Sequence, residues 1–164
     1  MNNLNIQNIE ISRIREYKNN PKLHNRVQIT KIRESIREFG FINPVLLDEN
    51  LEIIAGHGRV AAARDMGMHD VPAIILSHLT DAQKRAYRIA DNKLTELGKW
   101  SIGLLNLEFT ELSKLDLNFD LGITGFEPGE IDLILDGDGA SDPKNDMVPA
   151  LTDADRRCRR GDIW

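Results

Sequence analysis

Leu51-Glu-Ile-Ile-Ala-Gly-His-Gly-Arg-Val-Ala-Ala-Ala-Arg64 reads as a short strand from Glu52 to Ala55, a tight turn at Gly56-His57-Gly58 and a helix opening at Arg59. Glycine has no Cβ, so Gly56 and Gly58 let the backbone bend sharply and come close to a ligand. The helix behind them aims its free N–H groups and the positive end of its dipole at the turn, which favours a phosphate or another anion. Arg59 adds a planar, two-pronged donor, with Arg64 five residues on. Ala61, Ala62 and Ala63 keep the helix slim enough to lie closely on a sheet.

The loop matches neither common phosphate fingerprint. Gly-x-x-x-x-Gly-Lys-Ser/Thr is absent, and so is the third glycine of a dinucleotide loop. An ordinary tight turn fits these residues as well, and the loop alone leaves both readings open.

A wider comparison narrows them. Ala55-Gly-His-Gly-Arg-Val-Ala-Ala-Ala63, preceded by Gly40-Phe-Ile-Asn-Pro-Val-Leu-Leu-Asp48, closely resembles the N-terminal domain of ParB-like proteins, the ParB/sulfiredoxin fold, over about Ile9 to Asn92. The resemblance implies an α+β fold, a small mixed sheet with packed helices followed by a helical extension. We expect the ParB/sulfiredoxin-like domain over 1–97, the extension over 98–135, and a flexible acidic linker with a basic tail over 136–164. In this family a segment ending in Gly-x-x-Arg starts a helix and holds nucleotide phosphates, which here assigns Gly56, His57, Gly58 and Arg59. Its members include partition proteins that bind CTP and DNA, nucleases, a free-serine kinase group and sulfiredoxins. Sulfiredoxins carry a catalytic Cys where this chain has His57, so residue type excludes that activity.

The resemblance also implies a second site segment, Asp91-Asn92-Lys93, where an acid–Asn pair sits near the phosphates and metal. Asp91 beside Asn92 suits a hydrated Mg²⁺ bound with a nucleoside triphosphate, CTP or ATP. A surface cluster making local hydrogen bonds is the alternative. Asn43-Pro44 is expected to shape the pocket wall, its main chain and Asn43 meeting a base or sugar. His57, Glu52 and Asp91 are the catalytic candidates, while Glu38 and Asp48 read more simply as solvated surface.

With 164 residues, 41% of them hydrophobic, the chain has room for one domain and an appendage. The apolar runs are far too short to span a membrane, and Met-Asn-Asn-Leu-Asn does not read as a secretory signal. Cys158 is the single cysteine, so no internal disulfide forms, and His24, His69 and His78 lack zinc-ligand spacing. A cytoplasmic protein is expected. The net charge of −5 hides an asymmetry. Arg13 to Arg37 holds eight basic residues against Glu16 and Glu34, whereas Trp100 onward has fourteen acidic and six basic. The acidic balance argues against nonspecific coating of nucleic acid, yet a basic front face fits local phosphate binding and an ordinary solvated helix equally.

Elsewhere, Asn5 to Ser12 alternates as a first strand, and Gln28 to Phe39 carries Ile29, Ile32, Ile36 and Phe39 at helical spacing before Gly40. Val45-Leu-Leu and Val71 to Leu76 are strands; Arg59 to Met66 is a helix closed by Gly67. Thr80-Asp-Ala-Gln83 forms a capping box for a helix to about Glu96, and further helices are expected over Ser101 to Leu115 and from Pro128 to Leu135.

Three functions are consistent with this reading. The first is a ParB-like nucleotide- or DNA-phosphate-binding module, a regulatory or adaptor domain of a phage or plasmid system. Leu79 to Lys93 and the terminal Arg159-Arg-Gly-Asp-Ile-Trp164 resemble the ParB-like domain ahead of phage and plasmid DNA methyltransferases, which makes such a catalytic domain an expected partner. The chain itself carries neither Asp-Pro-Pro-Tyr nor a cofactor glycine loop. The second is a metal-dependent nuclease or NTP hydrolase/kinase, and the third a protein-interaction module without ligand. After residue 95 no basic recognition helix is evident, so a helix-turn-helix reader and a complete partition protein are not expected.

Overall fold

A computed structural model of the protein describes residues 4–137. The remainder of the expected linker and tail, with Cys158 and the terminal Trp164, lies outside the described residues. Four strands form one mixed sheet in the order β1 (Ile6–Glu10), β4 (Asp70–Ile75), β2 (Val45–Leu47), β3 (Ile53–Ala55). β4 runs antiparallel to β1 and parallel to β2, while β2 and β3 are antiparallel. The α+β fold with a small mixed sheet is therefore present. Pro72 sits in a central strand, but β2 pairs with β4 only from Ala73 onward, where its missing N–H is not called for.

Helices α2 (His57–Asp65) and α3 (Asp81–Glu96) pack on the sheet, and α1 (Arg26–Phe39) packs on α2. The core joins Ile9, Ile11 and Ile14 to Val45, Leu47, Ile53 and Val71, with Val60 and Ala63 of α2 closing it. Burying branched side chains of this size contributes roughly 1.5–3 kcal/mol each. The alanines do as expected: Ala62 and Ala63 are fully buried, so α2 lies close on the sheet.

Local chemistry moved several boundaries. α1 begins at Arg26 rather than Gln28, because the Asn25 side chain accepts from the Gln28 N–H at 2.8 Å and caps the helix two residues earlier. Its C-terminus is Gly40, at φ 81°, whose N–H donates to the Ile36 carbonyl at 2.9 Å. Phe39, placed on the apolar stripe by spacing, is 48% exposed and meets Phe119 edge-on at 6.1 Å. The first strand stops at Glu10, and Ile11–Arg13 turn as a 3-10 helix. Thr80 caps α3 through the expected box, its hydroxyl accepting from Gln83 N–H while the Gln83 side chain accepts from Thr80 N–H. Thr80→Ala removes that cap, and chemical denaturation is expected to show a loss of about 1 kcal/mol.

The extension builds a second small core. α4 (Ile102–Ser113) and α5 (Pro128–Leu135) bury Phe109, Ile131 and Ile134, with Phe126 edge-on to both Phe109 and Trp100. It meets α1 at the 3-10 turn Leu121–Thr124, where Lys31 Nζ donates to the Gly125 carbonyl and pairs with Glu127, both at 2.7 Å. Among the described residues, no helix is long and apolar enough to cross a membrane.

Candidate phosphate-binding site

β3 ends at buried Ala55, and the chain turns at Gly56 with φ 101° to serve as the N-cap of α2. The helix opens at His57, two residues before the expected Arg59, since glycine in this left-handed conformation needs no further turn residue. His57, Gly58 and Arg59 thus form the first turn, where N–H groups have no carbonyl one turn back to bond. A Cβ at position 56 would also stand 3.0 Å from Arg59 Nη2, so any other residue there would push the guanidinium from its place. At Gly58 a Cβ would meet Ile32 Cδ1 at 3.0 Å and the His24 ring at 3.2 Å. The turn is therefore packed on both sides by side chains of the site.

Arg59 Nη2 donates to the Pro44 carbonyl at 3.3 Å, which aims the guanidinium. Its Nε is buried with no partner, and His57 Nε2 is in the same condition. Buried polar atoms are nearly always satisfied. Two such atoms flanking an open helix N-terminus are the strongest indication that an anion belongs here. Burial lowers the Arg59 pKa, partly opposed by the charge of Asp91; the guanidinium stays cationic regardless. Burial also pushes His57 down to about 4, helped by positive neighbours His24 and Arg88 and opposed by Glu16. At neutral pH His57 is an uncharged imidazole, able to donate or accept but not to act as a fixed cation.

This His57 shift makes stability pH-dependent. Its folded pKa lies below the unfolded value of 6.5, so between about pH 6.5 and 4 the unfolded chain takes up the proton more readily. Stability is full above that window and falls as pH drops through it. His57→Gln is expected to flatten this slope, as measured by thermal melts across the window.

A cleft of about 370 Å³ gathers His57, Gly58 and Arg59 with His24 and Lys22 from the loop before α1, and with Asp91 and Asn92 of α3. Beside it lies a more apolar cleft of about 640 Å³, sharing Arg59, Gln28 and Ile32 and lined by Phe41, Ile42 and Asn43. The turn of the extension, Ile123 to Gly125, forms its far wall. Asn43 thus stands in the adjoining compartment rather than on the loop. Among the described residues no three His, Cys, Asp or Glu side chains converge as a metal site. Asp91 and Glu96 are the carboxylates of the cleft, Glu96 being taken by Lys22 and Lys93; Asp91 is the one left to meet a Mg²⁺ held mainly by substrate phosphates and waters. Asn92 Nδ2 donates to the Arg88 carbonyl at 2.9 Å, which fixes that side chain beside Asp91.

Three expected participants are elsewhere. Glu52 is taken by Arg88 at 2.9 Å and lines a separate polar cleft with Arg15, Tyr17 and Lys84, so it does not join His57 and Asp91. Lys93 is absent from the cleft lining, and its Nζ lies 3.3 Å from Glu96 Oε2. Arg64 is bound to Glu16 and donates to the Ile14 carbonyl at 3.0 Å. Conversely, sequence reading missed His24 and Lys22. Their only signal was the Asn20-Pro21 loop, which carries them back over the turn. It also missed Arg88, one helical turn before Asn92, which ties α3 to the strand that feeds the site.

Comparison with known proteins agrees with this architecture. The family model described as ParB N-terminal domain matches residues 1–93, and that of the ParB-methyltransferase HTH domain matches residues 103–160. The second match corrects the expectation that no helix-turn-helix follows residue 95. The matched range holds six basic against thirteen acidic side chains, so charge gave no sign of a DNA reader there. The ParB-like nuclease domain-containing protein YnaK of Escherichia coli (strain K12) is 54% identical over 69 residues, 42% of this chain and 79% of that one. A probable chromosome-partitioning protein ParB of Rickettsia typhi is 29% identical over 93 residues, covering 56% of this chain and only 32% of its own. In structure, C-terminally truncated ParB from Caulobacter crescentus, complexed with CTP-gamma-S, superposes with a TM-score of 0.63 at 16% identity, covering 84% of this chain and 88% of that one. With its mixed sheet and the match over residues 1–93, the chain belongs to the ParB N-terminal domain family.

Proposed function

We propose that the chain is a nucleotide-binding regulatory module that holds the phosphates of a nucleoside triphosphate on Gly56–Arg59. The observation that carries this reading is the pair of buried, unpartnered atoms, Arg59 Nε and His57 Nε2, at an open helix N-terminus. The two adjoining clefts supply a polar compartment for phosphates and a more apolar one for base and sugar, with Asn43 on its wall. The Caulobacter protein of this fold binds CTP-gamma-S, which favours CTP ahead of ATP. Asp91, steadied by its neighbour Asn92, is the residue that would hold Mg²⁺ against the phosphates. The helix-turn-helix match supports a DNA-associated adaptor role, with a DNA methyltransferase domain as partner.

The units at 1–97 and 98–135 go with this role, each having its own hydrophobic cluster, while the helix-turn-helix match runs on to residue 160, past the start of the expected linker at 136. A second reading, a metal-dependent nuclease or NTP hydrolase/kinase, keeps His57 as its candidate base, uncharged at neutral pH but weakened as a base by the burial that lowers its pKa. Asp91→Asn separates the two. Binding alone predicts that titration of CTP into the variant loses about tenfold of the Mg²⁺-dependent affinity, one charge-assisted contact, with no product formed by either protein. Mg²⁺-dependent turnover by wild type that disappears in Asp91→Asn establishes the enzyme instead.

A further inference from the structure

The basic stretch from Arg13 to Arg37 is only partly used by the site. Lys22 is held by Glu96 and Lys31 by Glu127, both at 2.7 Å. Arg26, Arg33 and Arg37 of α1, by contrast, have no acid within 4 Å among the described residues. At about 100° per residue, these three and Thr30 fall within about 60° of arc, and at about 1.5 Å rise the row is about 16 Å long. We infer that this outer row of α1 is a sequence-independent contact surface for the phosphate backbone of duplex DNA, separate from the nucleotide loop.

The row is more than a solvated face. Arg26, Thr30 and Arg33 line a cleft of about 420 Å³ between α1 and α2, and Arg33 Nε is buried there with no partner. His24 forms part of its wall, and Asp65 is the single acid lining it. The charge of the surrounding unit fits: residues 1–99 hold fifteen basic against twelve acidic side chains, a net +3, whereas residues 100–164 hold six against fourteen, a net −8. Phosphates on one strand repeat about every 3.4 Å along the duplex axis, so a row of this length spans several of them. A protein partner would need apolar anchors at the centre of its interface, and between the arginines the row offers only Thr30. Glu34 and Glu38 occupy the next row of α1. With Asp120 and Glu127 they line a cleft that Arg37 also borders, so they repel a polyanion from that side and leave Arg26 and Arg33, on the α2 side, as the centre of the contact.

The test uses the full chain and a fluorescent duplex of scrambled sequence, titrated over a series of salt concentrations. Arg26→Ala/Arg33→Ala/Arg37→Ala is expected to bind about tenfold more weakly at low salt and to reduce the slope of log K against log salt by about 2–3. The triple lysine variant keeps the charge and is expected to retain most of the slope. None of the three residues lines the Gly56–Arg59 cleft, so unchanged nucleotide binding shows that the variant is folded and the loss local. An unchanged slope in the alanine variant overturns the inference. So does equal loss in the lysine variant, or displacement of the duplex by polyglutamate of matched charge as readily as by unlabelled duplex.

Discussion

Arg59→Ala is expected to lower the affinity for a nucleoside triphosphate by roughly 10–100-fold while leaving the folded protein as stable as wild type, or slightly more so. The two halves of this expectation have one cause. A guanidinium facing phosphate gives charge-assisted bonds of about 1.5–3 kcal/mol, and tenfold in affinity is about 1.4 kcal/mol. Without ligand, the same group is half-buried with Nε unpaired and only a 3.3 Å bond to the Pro44 carbonyl. Deleting it removes an unsatisfied donor rather than a support, as is common where a site trades stability for binding. Arg59→Lys is not expected to restore affinity, because a point charge cannot reproduce the two-pronged geometry. Titration calorimetry paired with denaturation reads both quantities. Lost stability with unchanged affinity would return the loop to an ordinary turn.

Arg88→Ala shows the opposite pattern, a loss of about 3 kcal/mol of stability. The side chain is 4% exposed and makes three contacts: Nε donates to the Ile53 carbonyl at 3.0 Å, Nη2 meets Glu52 at 2.9 Å, and the guanidinium lies 3.7 Å from the centre of the Tyr17 ring. Truncation leaves a β3 carbonyl and a carboxylate without their partner, which costs more than the pair itself contributes. Glu52 is partly exposed, and water offsets some of that, so the value stands at the lower end of what a buried pair costs. Because the Arg88 side chain ties α3 to β3, and α3 carries Asp91, nucleotide binding is expected to weaken as well. Urea denaturation distinguishes this variant from Arg59→Ala by the displaced midpoint.

The frame was legible where local rules act alone. The apolar runs gave the strands, Gly40 and Gly67 the helix ends, and Thr80 with Gln83 the start of α3. The strand–turn–helix at Gly56 was legible because only glycine suits its backbone, although the helix began two residues earlier than its residue types suggested. What could not be read depended on distant partners. Glu52 looked like a carboxylate beside the loop, but side chains on a strand alternate between faces, and Arg88, 36 residues on, claims it. Lys93 follows Asn92 in sequence yet lies about 100° around α3, away from the cleft. His24 and Lys22 reach the site only because the loop before α1 folds back over the turn. The stretch matched by the helix-turn-helix family model is acidic on balance, so its charge did not point to a DNA reader.

Occupancy of the first turn of α2 by an anion is tested most directly by calorimetric titration of CTP in Mg²⁺ into wild type and Arg59→Ala, with ATP and GTP titrated alongside. Saturable binding by wild type that falls at least tenfold in Arg59→Ala is the predicted result. Equal binding by both proteins, or no binding of any triphosphate by folded wild type, would contradict it.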